Sequence, residues 1–443
     1  MDSSTRSKSN VTSSSAAYQP KNAANTIGRF RWVICAVLLL GTTKNYMDRQ
    51  LISVLKSTLQ HDLGWNEIDY GNLVFYFQAA YALGMVVMGR LIDKLGTRLG
   101  YAVAMVGWSL ASMAHGVMST LTGFKVARFA LGFGEASVFP ASLKATSEWF
   151  PRKDRALAVG ILNAGTNIGA ALAPLLISLI FARWGWRPVF FIIGALGFVW
   201  LVLWLWIYRK PEKHPRCSPQ ELQYICSDPI PSPSPIPWVK LLPHRQTWAF
   251  AVGKFIIDPI WWFYLFWIPD FLQRSHGLPL LRVGLPLFVI YFIADVGSVA
   301  GGWISSAMLH RGKSVNASRK TAMLVCAVCV IPIVFAPNVA STWGTVLLIG
   351  LATAAHQGFS SNLFTLPSDM FPTKAVASVV GIGGMAGAVG GMLIAKIVAY
   401  LLQWTGSYTI PFLMAGCAYL VALGAIQILA PKLEPARIDD TGT

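Results

Sequence analysis

Long apolar runs constrain this chain more than any other feature. Stretches of about 20 residues, each able to cross ~30 Å of hydrocarbon as a helix, recur from one end to the other. They lie near 31–54, 68–91, 99–118, 122–146, 155–181 and 188–208, and again near 247–272, 283–307, 320–337, 342–367, 376–402 and 407–430. The pattern predicts an all-α membrane protein of twelve transmembrane helices in two six-helix bundles. Composition points the same way. Charged residues make up 12% of the chain and hydrophobic ones 54%, where a soluble domain carries roughly 25% charged residues. A soluble fold this poor in charge would have little to cover its surface with.

The net charge of +17 would raise the question of nucleic acid, but it falls almost entirely between the apolar runs. With the N-terminus in the cytoplasm, 24 of the 36 Lys and Arg residues lie on the inner side. Five lie on the outer side: Lys56, Arg183, Arg187, Arg274 and Arg282. That skew is the positive-inside pattern. Both termini are therefore expected in the cytoplasm, the chain in a bacterial inner membrane, and no nucleic-acid partner.

The expected organisation begins with a disordered N-terminus at 1–28, rich in Ser, Asn and Ala. A six-helix bundle at 29–208 follows, then a cytoplasmic linker at 209–245, a second bundle at 246–430 and a cytoplasmic tail at 431–443. The linker holds a Pro-Ser run from Pro229 to Pro237 that cannot be helical. The first apolar run is long and carries charge deep within it, so it is not read as a cleavable signal peptide. Four of the six cysteines lie in spans and two, Cys217 and Cys226, in the linker, which implies no disulfide framework. Cys326-x-x-Cys329 has the spacing of a redox or zinc motif, but within a lipid-embedded helix it reads as small-residue packing. The sequon Asn316-Ala317-Ser318 falls on the cytoplasmic side. No metal and no cofactor are expected.

The two sets of spans echo each other. Phe150-Pro151-x-Lys153 leads into Val159-Gly160 and Gly169; Phe371-Pro372-x-Lys374 leads into Val380-Gly381 and Gly390, at a constant offset of 221. Gly89, Asp93 and Arg98 are echoed by Gly302, Ser306 and Arg311 at an offset of 213. A repeated six-helix half joined by a cytoplasmic linker marks a rocking-bundle transporter. The run Gly89-Arg-Leu-Ile-Asp93-Lys94-Leu-Gly96-Thr-Arg98 resembles the loop 2–3 signature of the major facilitator superfamily. In it Asp93 can pair with a neighbouring helix end while the basic residues hold the cytoplasmic gate. Ser306 in place of an acid predicts a weaker gate contact in the C-terminal half.

Finer motifs resemble the anion:cation symporter family. They are Asn45-Tyr46-Met47-Asp48-Arg49-Gln50 in span 1 and Arg128-Phe-x-Leu-Gly-x-Gly134-Glu135 in span 4. Within that family the likeness is to bacterial hexuronate transporters. It is carried by Gly253-Lys254…Asp258-Pro-Ile-Trp261-Trp262-Phe-Tyr264, Ala355-His356-Gln357-Gly358…Asn362 and Gly381-Ile-Gly-Gly-Met-Ala-Gly387. The resemblance covers nearly everything from 30 to 430. It implies that Arg49 holds the substrate carboxylate and that Asp48 and Glu135 take part in proton coupling. A lysine at position 44 is not part of the family pattern.

Independently of the family, an ionisable side chain within a span costs a few kcal/mol unless it meets a partner or a wet cavity. At 1.5 Å per residue, Arg49 and Arg128 both lie ~8–9 Å from the outer ends of their spans. Tyr81, Asn163, Asn167, Asp258, Asp295 and His356 fall nearer the midplane, which predicts a central polar cavity between the halves. A guanidinium suits a carboxylate. Arg49 is read as a direct substrate contact, since Asp48 points about 100° away from it on the helix. The bland reading of Arg128 is a salt bridge to Glu135, two turns along the same helix, with a part in coupling or gating. Glu135 is the preferred proton site. Lys44, four residues before Asp48 on the same face, either locks Asp48 as a charged anchor or is a further cationic contact for the substrate. Lys254 and Asp258 have the same spacing and read as a structural pair.

Tyr46, Trp261, Trp262 and Tyr264 are candidates to line the cavity and stack on a sugar ring. His356, Gln357, Ser361 and Asn362 are candidates to hydrogen-bond hydroxyls. Asp295 and Lys396 are assigned no partner. The resulting expectation is a secondary transporter, not an enzyme, working as a monomer in the bilayer. It would import a hexuronate or similar small organic anion with H+ as the coupling ion. An aldonate, a sulfonate such as sulfoacetate, an aromatic acid, or anion exchange remain open on the sequence alone.

Overall fold

The computed structural model describes residues 28–227 and 238–436. The segments expected above to be disordered or non-helical (1–27, and the run Pro229 to Pro237) lie outside the described residues, as does the end of the tail from 437.

Span 1 is Phe30–Val54. Spans 2 and 3 share one continuous helical trace, Glu67–Ala114. Straight, its 48 residues would measure ~72 Å, more than twice the hydrocarbon thickness. Gly96, at φ +77°, breaks it into 67–95 and 97–114, using backbone geometry that L side chains rarely adopt. Span 4 is interrupted, Leu121–Glu135 followed by Val138–Trp149. Spans 5 and 6 are Arg152–Trp184 and Trp186–Ile207. The second set begins with span 7, Arg245–Ser275, and span 8, Leu280–His310. Span 9 is Val315–Val330 continued as a 3₁₀ stretch, Ile331–Asn338; the change of helix type comes where Pro332 enters the chain. Span 10 is Thr342–Leu363 with a short extension, Leu366–Met370. Spans 11 and 12 are Thr373–Thr405 and Thr409–Leu429.

The starts are specified locally. Asn66 and Asp69 form a reciprocal capping box before span 2, and Thr120, Ser314 and Ser341 cap spans 4, 9 and 10 through backbone N–H groups three residues on. Spans 5 and 11 each start directly after a proline, Pro151 and Pro372. Among the described residues, seven helices are long and apolar enough to cross a membrane on composition alone. Spans 1, 4 and 10 are not among them, nor are spans 2 and 3, which share one helix. Spans 1, 4 and 10 carry Lys44, Asp48 and Arg49, then Arg128 and Glu135, then the polar stretch His356 to Asn362. In spans 1 and 10 it is this polar equipment that lowers the hydropathy, whereas span 4 is also broken into pieces of 15 and 12 residues.

The two halves touch along spans 2 and 11 and along spans 5 and 8. Contact is tightest towards the end of the bundle that holds Lys56. A Cβ at Gly71 would lie 2.3 Å from Ala399 Cβ, and one at Gly284 would lie 3.2 Å from the Leu175 and Pro174 backbone. Farther along the same four spans, Cβ positions at Gly89, Gly160, Gly302 and Gly384 face open space. The hydrogen bonds follow suit. Every one seen between the halves among the described residues lies at the midplane or nearer the Lys56 end. Lys56 Nζ reaches both Glu67 Oε2 and Asp270 Oδ2 at 2.7 Å. Arg274 reaches Glu67 Oε1 at 2.6 Å and Asp270 Oδ1 at 3.0 Å. Tyr408 donates to Asp270, Ser57 Oγ donates to Asp270 at 3.0 Å, and Tyr70 donates to the Phe266 carbonyl at 2.8 Å. The molecule is closed at the Lys56 end and splayed at the linker end.

Sequence reasoning treated Lys56 and Arg274 only as outer charges. Their partners are 214 and 207 residues distant, so no local spacing announces the network. Lys56 has no exposed surface. Lys56→Met would leave two acids sharing Arg274 alone. Removing one partner of a buried ion pair costs ~3–5 kcal/mol, which shifts the closed-to-open ratio about 100-fold or more. The expected result is increased labelling, by a membrane-impermeant thiol reagent, of Ser178→Cys, a near-isosteric change at a buried position that bonds across the halves to the Leu280 carbonyl. Unchanged labelling would show that the network does not hold this end shut.

Candidate functional site

Arg49, on span 1, is enclosed rather than simply buried. Its guanidinium carbon stands 4.7 Å from the ring centres of Tyr46 and Tyr81, 5.5 Å from Phe77 and 5.4 Å from Trp262. Four aromatic faces around one cation form a box that favours a planar, weakly hydrated guanidinium over an ammonium. Trp262 comes from span 7, so the box is completed only where the two halves meet. Beside it lies Gln78, fully buried, with neither its amide nitrogen nor its oxygen partnered. Sequence reasoning missed both Phe77 and Gln78. Their signal was the spacing to Tyr81 on one face of span 2, with Gln78 as a polar residue in an otherwise apolar run.

Inside the box Arg49 Nε donates to Glu135 Oε2 at 2.7 Å, and Glu135 Oε1 has no hydrogen-bond partner. This corrects the expected Arg128–Glu135 bridge. Glu135 ends the first segment of span 4, and Gly132 and Gly134 let that segment close on its neighbours. A Cβ at Gly132 would meet the Phe77 carbonyl at 2.4 Å, and one at Gly134 would meet Trp108 Cβ at 2.9 Å. That approach brings Glu135 to span 1. Arg128, two turns earlier, stands instead 4.6 Å over the Phe77 ring, with its Nε and Nη2 lacking hydrogen-bond partners.

Asp48 does not share the box. Lys44 Nζ lies 2.5 Å from its Oδ2, and Ser112 Oγ donates to its Oδ1 at 2.9 Å. Lys44 is therefore the partner of Asp48 and makes no approach to the Arg49 box. In the second half Lys254 and Asp258 pair at 2.8 Å, as their spacing predicts, and Lys254 also stands 4.1 Å over Phe364.

The remaining candidates divide. Asn167 of span 5 donates to Asp295 Oδ1 at 2.5 Å and accepts from Gln357 Nε2 at 3.1 Å, so spans 5, 8 and 10 meet through three polar side chains at the midplane. Asn163, one turn nearer the linker end, is exposed, and Ser361 is half-buried with its hydroxyl on the Gly358 carbonyl. Trp261 stacks on His356 at 5.1 Å, and His356 Nδ1 lies 2.7 Å from the Tyr419 hydroxyl. Two expectations are corrected. Tyr264 is wholly buried inside the second half and lines no cavity. Asn362 is nearly as buried, its amide donating to the Gly301 and Gly358 carbonyls at 2.9 Å, so it ties span 10 to span 8. Both face the packed side of their helix, which composition could not reveal. Lys396, given no partner from sequence, donates to Asn72.

At the gate motif Asp93 pairs with Lys144 of span 4 at 2.7 Å, Arg98 donates to the Leu205 carbonyl, and Gly89 borders open space. The second half has no ion pair at Ser306 among the described residues; nearby, Arg319 reaches Asp369 at 3.0 Å and Ser305 Oγ at 2.8 Å.

Comparison with known proteins agrees with this architecture. The chain is 32% identical to the hexuronate transporter of Escherichia coli K12 over 419 residues, 92% of this chain and 96% of that one. It is 33% identical to the galacturonate transporter of Dickeya chrysanthemi over 279 residues, 62% and 81% of the respective chains. In fold it is similar to a bacterial homologue of the human lysosomal transporter Spinster, in an inward-facing and occupied conformation. The TM-score there is 0.68 at 16% identity, over 91% of this chain and 96% of that one. Residues 38–395 match the profile of the Major Facilitator Superfamily, and the chain belongs to that family of membrane transporters.

Proposed function

We propose that this protein imports a hexuronate, or a closely similar sugar-acid monoanion, together with a proton by alternating access. The observation that carries the reading is the Arg49–Glu135 pair. It is a buried cation already bound to a carboxylate, walled by aromatic rings, where the two halves meet. A substrate carboxylate entering the box competes with Glu135 for the same guanidinium. The Glu135 carboxylate, losing its cation in a dry site, takes up a proton. Trp262, Tyr46 and Tyr81 present ring faces to the sugar, while Gln78, Asn167 and Gln357 offer amides to its hydroxyls. The relatives named for hexuronate and galacturonate support that class of cargo.

With both termini in the cytoplasm, as the Lys and Arg skew indicates, the Lys56 end is the outer one. The structure then corresponds to the inward-facing state of the cycle, in an inner-membrane protein whose single chain holds a complete site. In proteoliposomes, labelled galacturonate and glucuronate should accumulate several-fold under an inward proton gradient, and a protonophore should abolish the accumulation. No uptake above empty liposomes, in an assay that works for a known relative, would sink the proposal. Uptake that requires internal anion and ignores the gradient would mean exchange.

A further inference from the structure

Two carboxylates lie buried beside the Arg49 box, and they are held in opposite ways. Glu135 has one bonded oxygen and one bare one, and its cation sits in the aromatic box where the two halves meet. Asp48 has both oxygens engaged from within the N-terminal half, Oδ2 by Lys44 and Oδ1 by Ser112. Lys44 in turn is enclosed by spans 3 and 6. Its Nζ lies 3.3 Å from Ser109 Oγ and 5.7 Å from the Trp108 ring centre, and a Cβ at Gly197 would come within 3.1 Å of it. The ammonium is buried among side chains of the N-terminal half, and among the described residues Asp48 has no second ion-pair partner.

We propose that Lys44 sets the coupling at one proton per anion, by holding Asp48 ionised throughout the cycle so that Glu135 alone carries the proton. This rests on the symport reading above and deepens it. The charges balance. Empty, Arg49⁺ and Glu135⁻ sum to zero. Loaded, Arg49⁺, the substrate carboxylate and neutral Glu135 again sum to zero, and the proton taken up outside leaves inside with the anion. Transport of a monoanion then moves no net charge.

The other ionisable groups facing this point do not alter the count. Arg128 on span 4 is a guanidinium, charged at every accessible pH, and it stands over the Phe77 ring. In the second half Asp258 is paired with Lys254 on its own helix, at an offset of 210 from the Lys44–Asp48 pair. Asp295 accepts from Asn167 and has no ion-pair partner among the described residues for a substrate to remove. Lys44 is thus a positioning residue that acts through Asp48.

The test is the charge moved per substrate. In proteoliposomes of the full chain, galacturonate uptake driven by a proton gradient should be indifferent to a potassium diffusion potential. In Lys44→Met the cations left near Asp48 are Arg128 and Arg49, and Arg49 is captured and released in each turnover, so Asp48 joins the proton cycle. Uptake then gains one net positive charge per substrate. Accumulation should rise about tenfold for each ~59 mV, inside negative. Lys44→Met combined with Asp48→Asn should return to voltage indifference. Voltage-driven accumulation by the unmodified protein would overturn the proposal even if Lys44→Met fails to fold. So would an active Lys44→Met that ignores voltage. Both outcomes would leave the symport reading standing, whereas an absence of any coupled uptake would remove that reading and this one together.

Discussion

Arg49→Ala should reduce galacturonate uptake by at least 100-fold while leaving the protein folded and inserted. The guanidinium holds a carboxylate in both states envisaged for the site, Glu135 when empty and the substrate when loaded. Deleting it leaves each without a cation in a box of aromatic rings. Breaking a buried charge pair from one side costs ~3–5 kcal/mol, equivalent to about 100- to 4,000-fold in affinity. Arg49→Lys separates charge from geometry. A lysine supplies the charge but neither the planar fork that meets a carboxylate at two points nor a face to stack between Tyr46 and Tyr81. It should lose ~10-fold or more in affinity, on the order of one bidentate contact. Both are read by labelled-substrate binding to purified protein, with thermal stability as the control. Near-normal binding by Arg49→Ala would mean that another cation, Arg128 in first place, holds the anion.

How far such a site can be read from a chain depends on which contacts are local. The pairs Lys44–Asp48 and Lys254–Asp258 were legible because four residues on a helix is one turn. The spans themselves were legible because hydrocarbon thickness sets their length. Their starts matched to within a few residues, since caps and prolines punctuate them. Contacts across helices behaved differently. Arg49 and Glu135 are 86 positions apart, and their meeting depends on Gly132 and Gly134 admitting close packing. The seven-residue spacing of Arg128 and Glu135 suggested a bridge that packing overrode. Tyr264 and Asn362 have the right chemistry for a sugar site, but each lies on the face turned into its own half. The Lys56 network was invisible because it joins the segment after span 1 to span 7, and only folding makes those neighbours.

Glu135→Gln separates the two halves of the proposed cycle. Glutamine resembles the protonated acid in shape and neutrality and cannot release a proton, so the loaded state is mimicked at every pH. Arg49 stays available to the substrate, and loaded carriers can still reorient in both directions. Labelled galacturonate should therefore exchange against unlabelled anion at a rate within a few-fold of the unmodified protein. The empty carrier is in a different position. Without the Glu135 charge, Arg49 returns as an uncompensated cation in a closed, aromatic-walled site. A penalty of ~3–5 kcal/mol on that step slows it by about 100- to 5,000-fold. Net uptake under a proton gradient should fall by that factor, and the pH dependence of what remains should disappear. Counterflow and gradient-driven uptake measured on the same vesicles make the comparison internal, because a misfolded variant loses both. Accumulation that still follows the proton gradient in Glu135→Gln would assign the proton to another group. Asp295, which has no cation of its own and lies at the midplane contact of spans 5, 8 and 10, would be the first to test.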